Sequence, residues 1–197
     1  MTLPAWVTDP DSLILTEEQY DDLPDQVRKL IEAIDGHVIF CQSGTPEHSD
    51  VSRRLANRLE AAKPTGPCTR VSTGIDVHFV KRKRSDGKLS FRRPDVSVYK
   101  CIERGAKLSA PDALMVVEVV SPGSGYTDTV DKPAEYAYEG IPVYRVVFLD
   151  GSFYVKMIQE YRFDWASRTY RLAHTHIDEL ALEDPFPATV GFAELDG

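Results

Sequence analysis

"ALMVVEVVSP", residues 113–122, decides how the rest of the chain is read. Leu114, Met115, Val116 and Val117 lead into Glu118, and Val119 and Val120 follow it. So short and apolar a run is the pattern of a strand covered on both faces, in a sheet with helices packed above and below. Glu118 is the anomaly. A carboxylate left unpaired there costs several kcal/mol or gives up its charge, so a partner is expected.

Working outward, "SFRRPDVSVYK" before it reads as a strand, with Asp95 behind a proline that favours extended structure at Arg93. "TRVSTGIDVHFVKRKR" reads as the strand before that, joined to it across the hairpin-type turn "SDGK". On the far side of Glu118, "SPGSGYTDTVD" reads as a loop and "PAEYAYEG" as a helix that Gly140 can stop. "PVYRVVFLD" is another buried strand, and "GSFYVKMIQEYRFDWASRTYRLAHTHI" a C-terminal β-meander. Towards the N-terminus, "TPEHSDVSRRLANRLEAAKP" is the clearest helix. Thr45 can cap it, Pro46 opens it, and Val51, Leu55 and Leu59 share one face. "LTEEQYDDLP" predicts a short helix opened by Thr16. A second helix is expected from Pro24 through "DQVRKLIEA" to the Asp35-Gly36 turn, before a strand at "HVIFCQS". The order gives an α/β fold, a mixed central sheet with helices against it.

The 197 residues suit a single domain spanning 1–197. Composition is globular, at 42% hydrophobic and 27% charged. No run approaches the roughly 18 apolar residues of a membrane span, and "MTLPAWVTDPDS" has no secretory pattern. Cys41, Cys68 and Cys101 are odd in number and widely spaced, without a CxxC pair. The expectation is a reduced, cytoplasmic protein without a zinc site. A net charge of −8 argues against indiscriminate nucleic-acid binding. Against that background "KRKRSDGKLSFRR", residues 81–93, carries seven Lys or Arg to one Asp. It fits a nucleic-acid edge or a solvated hairpin.

If the strands holding Asp95 and Glu118 are neighbours, the two carboxylates converge at one end of the sheet. Pressed together they repel, and a divalent cation removes the conflict. Mg²⁺ suits oxygen ligands and is commonly held by one or two carboxylates plus waters and phosphate.

"RPDVSVY", then 22 residues between Asp95 and Glu118, then "VVEVVSP", resembles the PD-(D/E)xK nuclease superfamily. With "IEAIDGHV", "PEHSDVSRRL", "DTVDKPAEYAYEGIPVY" and "DPFPATVGFAEL", the chain is similar to its Uma2 branch, the restriction endonuclease family once called DUF820, over roughly residues 16–195. The resemblance implies a restriction-endonuclease-like α/β/α core. It implies Asp95 and Glu118 as ligands of one Mg²⁺, with Mn²⁺ as substitute, the Val119 carbonyl beside them, and Glu32 as an acidic neighbour. The superfamily's ExK lysine is Val120 here. The branch places a lysine on the following helix instead, and Lys132 is the matching residue. His48 matches a family histidine that contacts phosphate or positions a site residue.

Together these predict Mg²⁺-dependent hydrolysis of DNA phosphodiesters, with Lys132 orienting the attacking water. DNA would approach along Lys81, Arg82, Lys83, Arg84, Arg92 and Arg93, and a homodimer would suit cutting of two strands. Plainer readings stand beside these. Asp95 is also a strand-start residue, Glu118 half of an ion pair with Arg145, Lys132 a surface lysine, Glu32 a solvated helix residue and His48 a helix-start histidine. His78 can look to the site or to water, His174 and His176 form a solvated face, and Asp128 can support Lys132 or cap its helix. Tyr136, Tyr138 and Tyr144 are expected to pack against the sheet. The rival function is a catalytically inactive nuclease fold that binds DNA or a protein partner. A third is a structural subunit whose partner supplies the basic surface.

Overall fold

The computed structural model describes residues 14–41, 44–82, 87–122 and 130–197. The opening stretch forms strand β7 (Ala113–Val120), and its buried character has the expected cause. By the period of two, Met115, Val117 and Val119 enter one core while Val116 and Val120 enter another on the opposite face. Helix α3 (Pro46–Ala62) covers the first with Val51, Leu55 and Leu59, and helix α4 (Lys132–Glu139) covers the second with Tyr136 and Ala137. Thr45 caps α3 by accepting from the His48 N–H. Gly140 ends α4 at φ +84°, donating back to Tyr136 and Ala137 carbonyls.

The remaining strands of the main sheet are β3 (Thr69–Thr73), β6 (Val96–Lys100), β8 (Val143–Leu149), β9 (Val155–Asp164) and β10 (Thr169–His176). Their order is β10-β9-β8-β7-β6-β3, with β7 and β8 parallel and every other pair antiparallel. The sheet is therefore mixed and α4 is its crossover. The C-terminal meander continues it through β9 and β10. It then leaves for a separate hairpin of β11 (Glu179–Leu182) and β12 (Ala188–Gly191), followed by α5 (Phe192–Asp196).

A second sheet differs from expectation. Helix α1 (Glu17–Asp21) has its Thr16 cap and capping box, but the next helix, α2 (Asp25–Arg28), is only one turn long. In place of the helix expected through "DQVRKLIEA" stands strand β1 (Ile31–Ile34), paired antiparallel with β2 (His37–Phe40). Ile31 and Ala33 bury against Tyr20, Leu89 and Phe91 while Glu32 points the other way, a strand period rather than a helical one. Asp35 and Gly36 turn the hairpin with φ of 51° and 83°, as a tight hairpin requires. A side chain at Gly36 would also meet Ile14 Cγ2 at 2.9 Å. Glu32 thus sits on a strand.

The two strands expected around "SDGK" are each broken in two. Their outer halves, β3 and β6, pair in the main sheet. Their inner halves, β4 (Val77–His78) and β5 (Phe91–Arg92), pair in the second, whose order is β2-β1-β5-β4. The break after Arg92 falls at Pro94, which has no N–H for a ladder.

The cysteine reading is also corrected. β3 and β6 pair Thr69 with Lys100, so the next residues outward, Cys68 and Cys101, face each other at a Cα separation of 5.5 Å and form a disulfide. Cys41 is the free thiol. Among the described residues no helix is long and apolar enough to cross a membrane.

Candidate active site

Glu118 is 2% exposed, and two of its partners come from α4. Its Oε2 accepts from Lys132 Nζ at 2.8 Å and its Oε1 from the Tyr136 hydroxyl at 2.7 Å. Pro133 follows Lys132, so the lysine is the first residue of the helix and its ammonium reaches back to the strand. Tyr136, expected only to pack, is buried, and burial together with the Glu118 charge holds its hydroxyl well above the usual tyrosine range. It remains a donor. Arg145 is not the partner of Glu118: it is in register with Val117, faces α3, and pairs with Glu160.

Asp95 precedes β6 directly. The last registered pair of β6 and β7 is Val96 with Val117, so Asp95 stands one step further out, beside Glu118. Its Oδ2 accepts from the Val119 N–H at 2.7 Å and lies 3.1 Å from His48 Nε2. His48 reaches it from the first turn of α3, packed against Gly44, where a Cβ would come within 2.6 Å of Nδ1.

Glu32 belongs to an adjoining buried network. Its Oε2 accepts from Arg92 Nη1 at 2.8 Å and its Oε1 from the Arg93 N–H at 2.7 Å. The other edge of Arg92 is bidentate to Glu135, with Nε and Nη2 at 2.6 and 2.8 Å. Burial opposes the Arg92 charge, but Glu135 and Glu32 more than offset it and raise its pKa. Arg93 donates to Asp76 Oδ1 and to the Lys29 and Arg28 carbonyls. Arg92 and Arg93, expected to neutralise DNA phosphates, are thus turned inward by carboxylates and carbonyls distant in sequence. Lys81 and Arg82 lie at the end of α4, their backbone amides bound by Glu139. Lys83 and Arg84 lie outside the described residues, as does Asp128.

The other histidines stand apart. His78 stacks on Phe91, and burial lowers its pKa. His176 lies 3.6 Å from Glu160 on the α3 face, and His174 beside it. Glu135 and Glu139 were not singled out from sequence. A signal existed: 132, 135, 136 and 139 fall at helical spacing on one face.

A family model for Uma2, described as "Putative restriction endonuclease", matches residues 17–193. The chain belongs to that family. The fold is similar to a crystal structure from Anabaena variabilis ATCC 29413 described as "a putative nuclease belonging to DUF820". The likeness covers 92% of this chain and 97% of the other at a TM-score of 0.63, with 15% sequence identity, and it speaks for the fold. No curated protein matches the chain.

In this Uma2 chain, no group of three or more His, Cys, Asp or Glu side chains among the described residues is arranged to hold a metal ion. What the site offers is a pair of acidic donors, Asp95 and Glu118. That pair suits a hard cation which keeps most of its waters, and not zinc. The charge balance fits such an ion. Among the described residues, Asp95, Glu118, Glu32 and Glu135 face two permanent cations, Lys132 and Arg92, and His48 adds a third only if protonated.

Proposed function

We propose that this protein is a Mg²⁺-dependent endonuclease that hydrolyses DNA phosphodiester bonds at Asp95, Glu118 and Lys132. The observation that carries the reading is the Lys132–Glu118 pair at 2.8 Å, beside a second carboxylate on the adjoining strand. An ammonium is thereby delivered to the acidic pair from α4, although the position two residues after Glu118 is Val120. When bound, Mg²⁺ would neutralise phosphate charge and lower the pKa of the attacking water. Asp95 and Glu118 would hold it.

The chain's own groups do the rest. Lys132 orients the water for attack on phosphorus and stabilises the charge that builds on the non-bridging oxygens as the P–O ester bond breaks. Tyr136 holds the second oxygen of Glu118 and so fixes the carboxylate Lys132 rests on. His48 and the Val119 N–H fix Asp95. Glu32 sits between Arg92 and the Arg93 N–H, and its role is to hold β5 and the Pro94 turn against the site.

A second reading has one observation in its favour. Arg92 and Arg93 are consumed internally, which thins the basic surface and suits a non-cleaving module. Calorimetry with Mg²⁺ or Mn²⁺ separates the two. The nuclease reading expects binding by the wild type, none by Asp95→Asn, and metal-dependent nicking of plasmid DNA only where metal binds. A wild type that binds no divalent ion and nicks nothing ends the nuclease reading.

A further inference from the structure

The buried stripe of α4 that begins at Lys132 ends at Glu139, about 10 Å away along the helix axis at 1.5 Å per residue. The Glu139 carboxylate accepts three consecutive backbone N–H groups. Oε2 takes those of Val80 at 2.9 Å and Lys81 at 3.0 Å, and Oε1 takes that of Arg82 at 3.1 Å. Hydrogen bonds to an ionised acceptor are roughly twice as strong as neutral ones. This clasp therefore fixes where the chain enters its basic run, and fixes it to the helix that carries Lys132.

What surrounds the clasp is basic and aromatic. Lys81 is exposed, and its Nζ donates to the Tyr138 carbonyl at 3.2 Å, at the negative end of the helix dipole. The Arg82 guanidinium lies 5.1 Å over the Tyr138 ring and 3.3 Å from Asp35. Tyr138 is 53% exposed. With Arg92 and Arg93 turned inward, Lys81 and Arg82 are described members of the basic run that lie at this end of α4.

We propose that this end of α4 is a second contact for DNA, made by Lys81, Arg82 and the ring of Tyr138, and that Glu139 is the residue positioning it. The inference rests on the phosphodiester reading, which puts the reacting phosphate at Lys132. About 10 Å is short enough for a single DNA strand, whose phosphates rise about 3.4 Å per nucleotide along the duplex axis, to run past both ends of the helix. Lys81 and Arg82 neutralise a phosphate there. Tyr138 offers a flat face to a sugar or base, a contact that tolerates any sequence.

The test is fluorescence anisotropy of the full-length protein with a short fluorescein-labelled DNA oligonucleotide in EDTA, where nothing is cleaved. Tyr138→Ala and Lys81→Ala should each weaken binding about tenfold. Tyr138→Phe should bind as the wild type does. Lys81→Ala should also flatten the dependence of log affinity on log salt by about one unit of slope. Glu139→Gln should weaken binding without touching DNA itself. In Mg²⁺ the first two variants should raise KM and leave kcat at saturating DNA. Unchanged affinity in both Tyr138→Ala and Lys81→Ala overturns the second contact, even in a protein that cleaves. A fall in kcat with KM unmoved overturns it as well. Since the anisotropy needs no chemistry, a wild type that binds through these residues but never cleaves would fail the nuclease reading alone.

Discussion

Two groups of buried charge sit on opposite faces of the same sheet, one residue out of phase. On the α3 face, Arg145 in β8 is fully buried and reaches Glu160 in β9, which also accepts from Arg162. Arg162 in turn pairs with Asp184. Burial alone would raise the Glu160 carboxyl, but Arg145 and Arg162 more than reverse it and hold it below the usual carboxylate value. Two guanidiniums meet two carboxylates and the account closes. On the α4 face, Glu118 in β7 meets a lysine and a phenol, and among the described residues Asp95, Glu32 and Glu135 bring more negative charge than Lys132 and Arg92 cancel. Closed pairs hold a fold together. An acidic surplus lined up with a lysine is what a phosphate-cleaving site with a borrowed cation needs.

Opening the closed cluster should have the largest consequence. Arg145→Met leaves Glu160 with one partly exposed arginine, and stripping a partner from a buried pair costs about 3–5 kcal/mol. Urea unfolding should read that loss, and it should be the same with and without Mg²⁺. A cost under about 1 kcal/mol would mean the pair is not what secures β8 to β9.

At the open cluster the corresponding change is Lys132→Ala, and its main effect should fall on rate. Losing a preorganised donor to developing charge typically costs 10²- to 10³-fold, or about 2.7–4 kcal/mol of barrier. Metal-dependent nicking should drop by about that factor while calorimetric binding of Mn²⁺ persists. Nicking at the wild-type rate would leave Lys132 a structural partner of Glu118 and no more, making the two clusters alike.

How far this contrast could be read from sequence depends on how local its causes are. Strand β7 and helix α3 were legible because an apolar run and a four-residue stripe are properties of a few neighbouring residues. The acid pair was legible as a question, since a glutamate amid valines demands a partner. The answer lay on α4, fourteen residues on, and only the family resemblance pointed there. β1 was misread because "DQVRKLIEA" favours helix, while Phe91 and Tyr20, which draw Ile31 and Ala33 into alternate burial, are remote. Arg92 and Arg93 looked like a surface patch for the same reason. Whether an arginine faces water is decided by Glu32, Glu135 and Asp76, up to 60 positions away. Cys68 and Cys101, 33 apart, meet only through the register of β3 and β6.

The smallest expected effect reports on the surplus without touching it. Cys41 is half-buried beside the open cluster, and burial followed by the Glu32 charge pushes its thiol up to about 11, against the opposing pull of Arg93, Lys132 and Arg92. Between the ordinary thiol value of 9.0 and about 11, the folded protein keeps a proton that the unfolded chain has lost. Stability should therefore fall as pH rises through that window, and Cys41→Ala should remove this part of the slope. Alkylation at pH 8 should be slow, since the thiolate is scarce. A divalent ion at Asp95 and Glu118 adds positive charge near the thiol and should speed alkylation a few-fold in the wild type but not in Asp95→Asn. Because the Arg145 cluster has no surplus to fill, a rate that rises equally in both proteins would place the ion elsewhere and remove the distinction between the two faces.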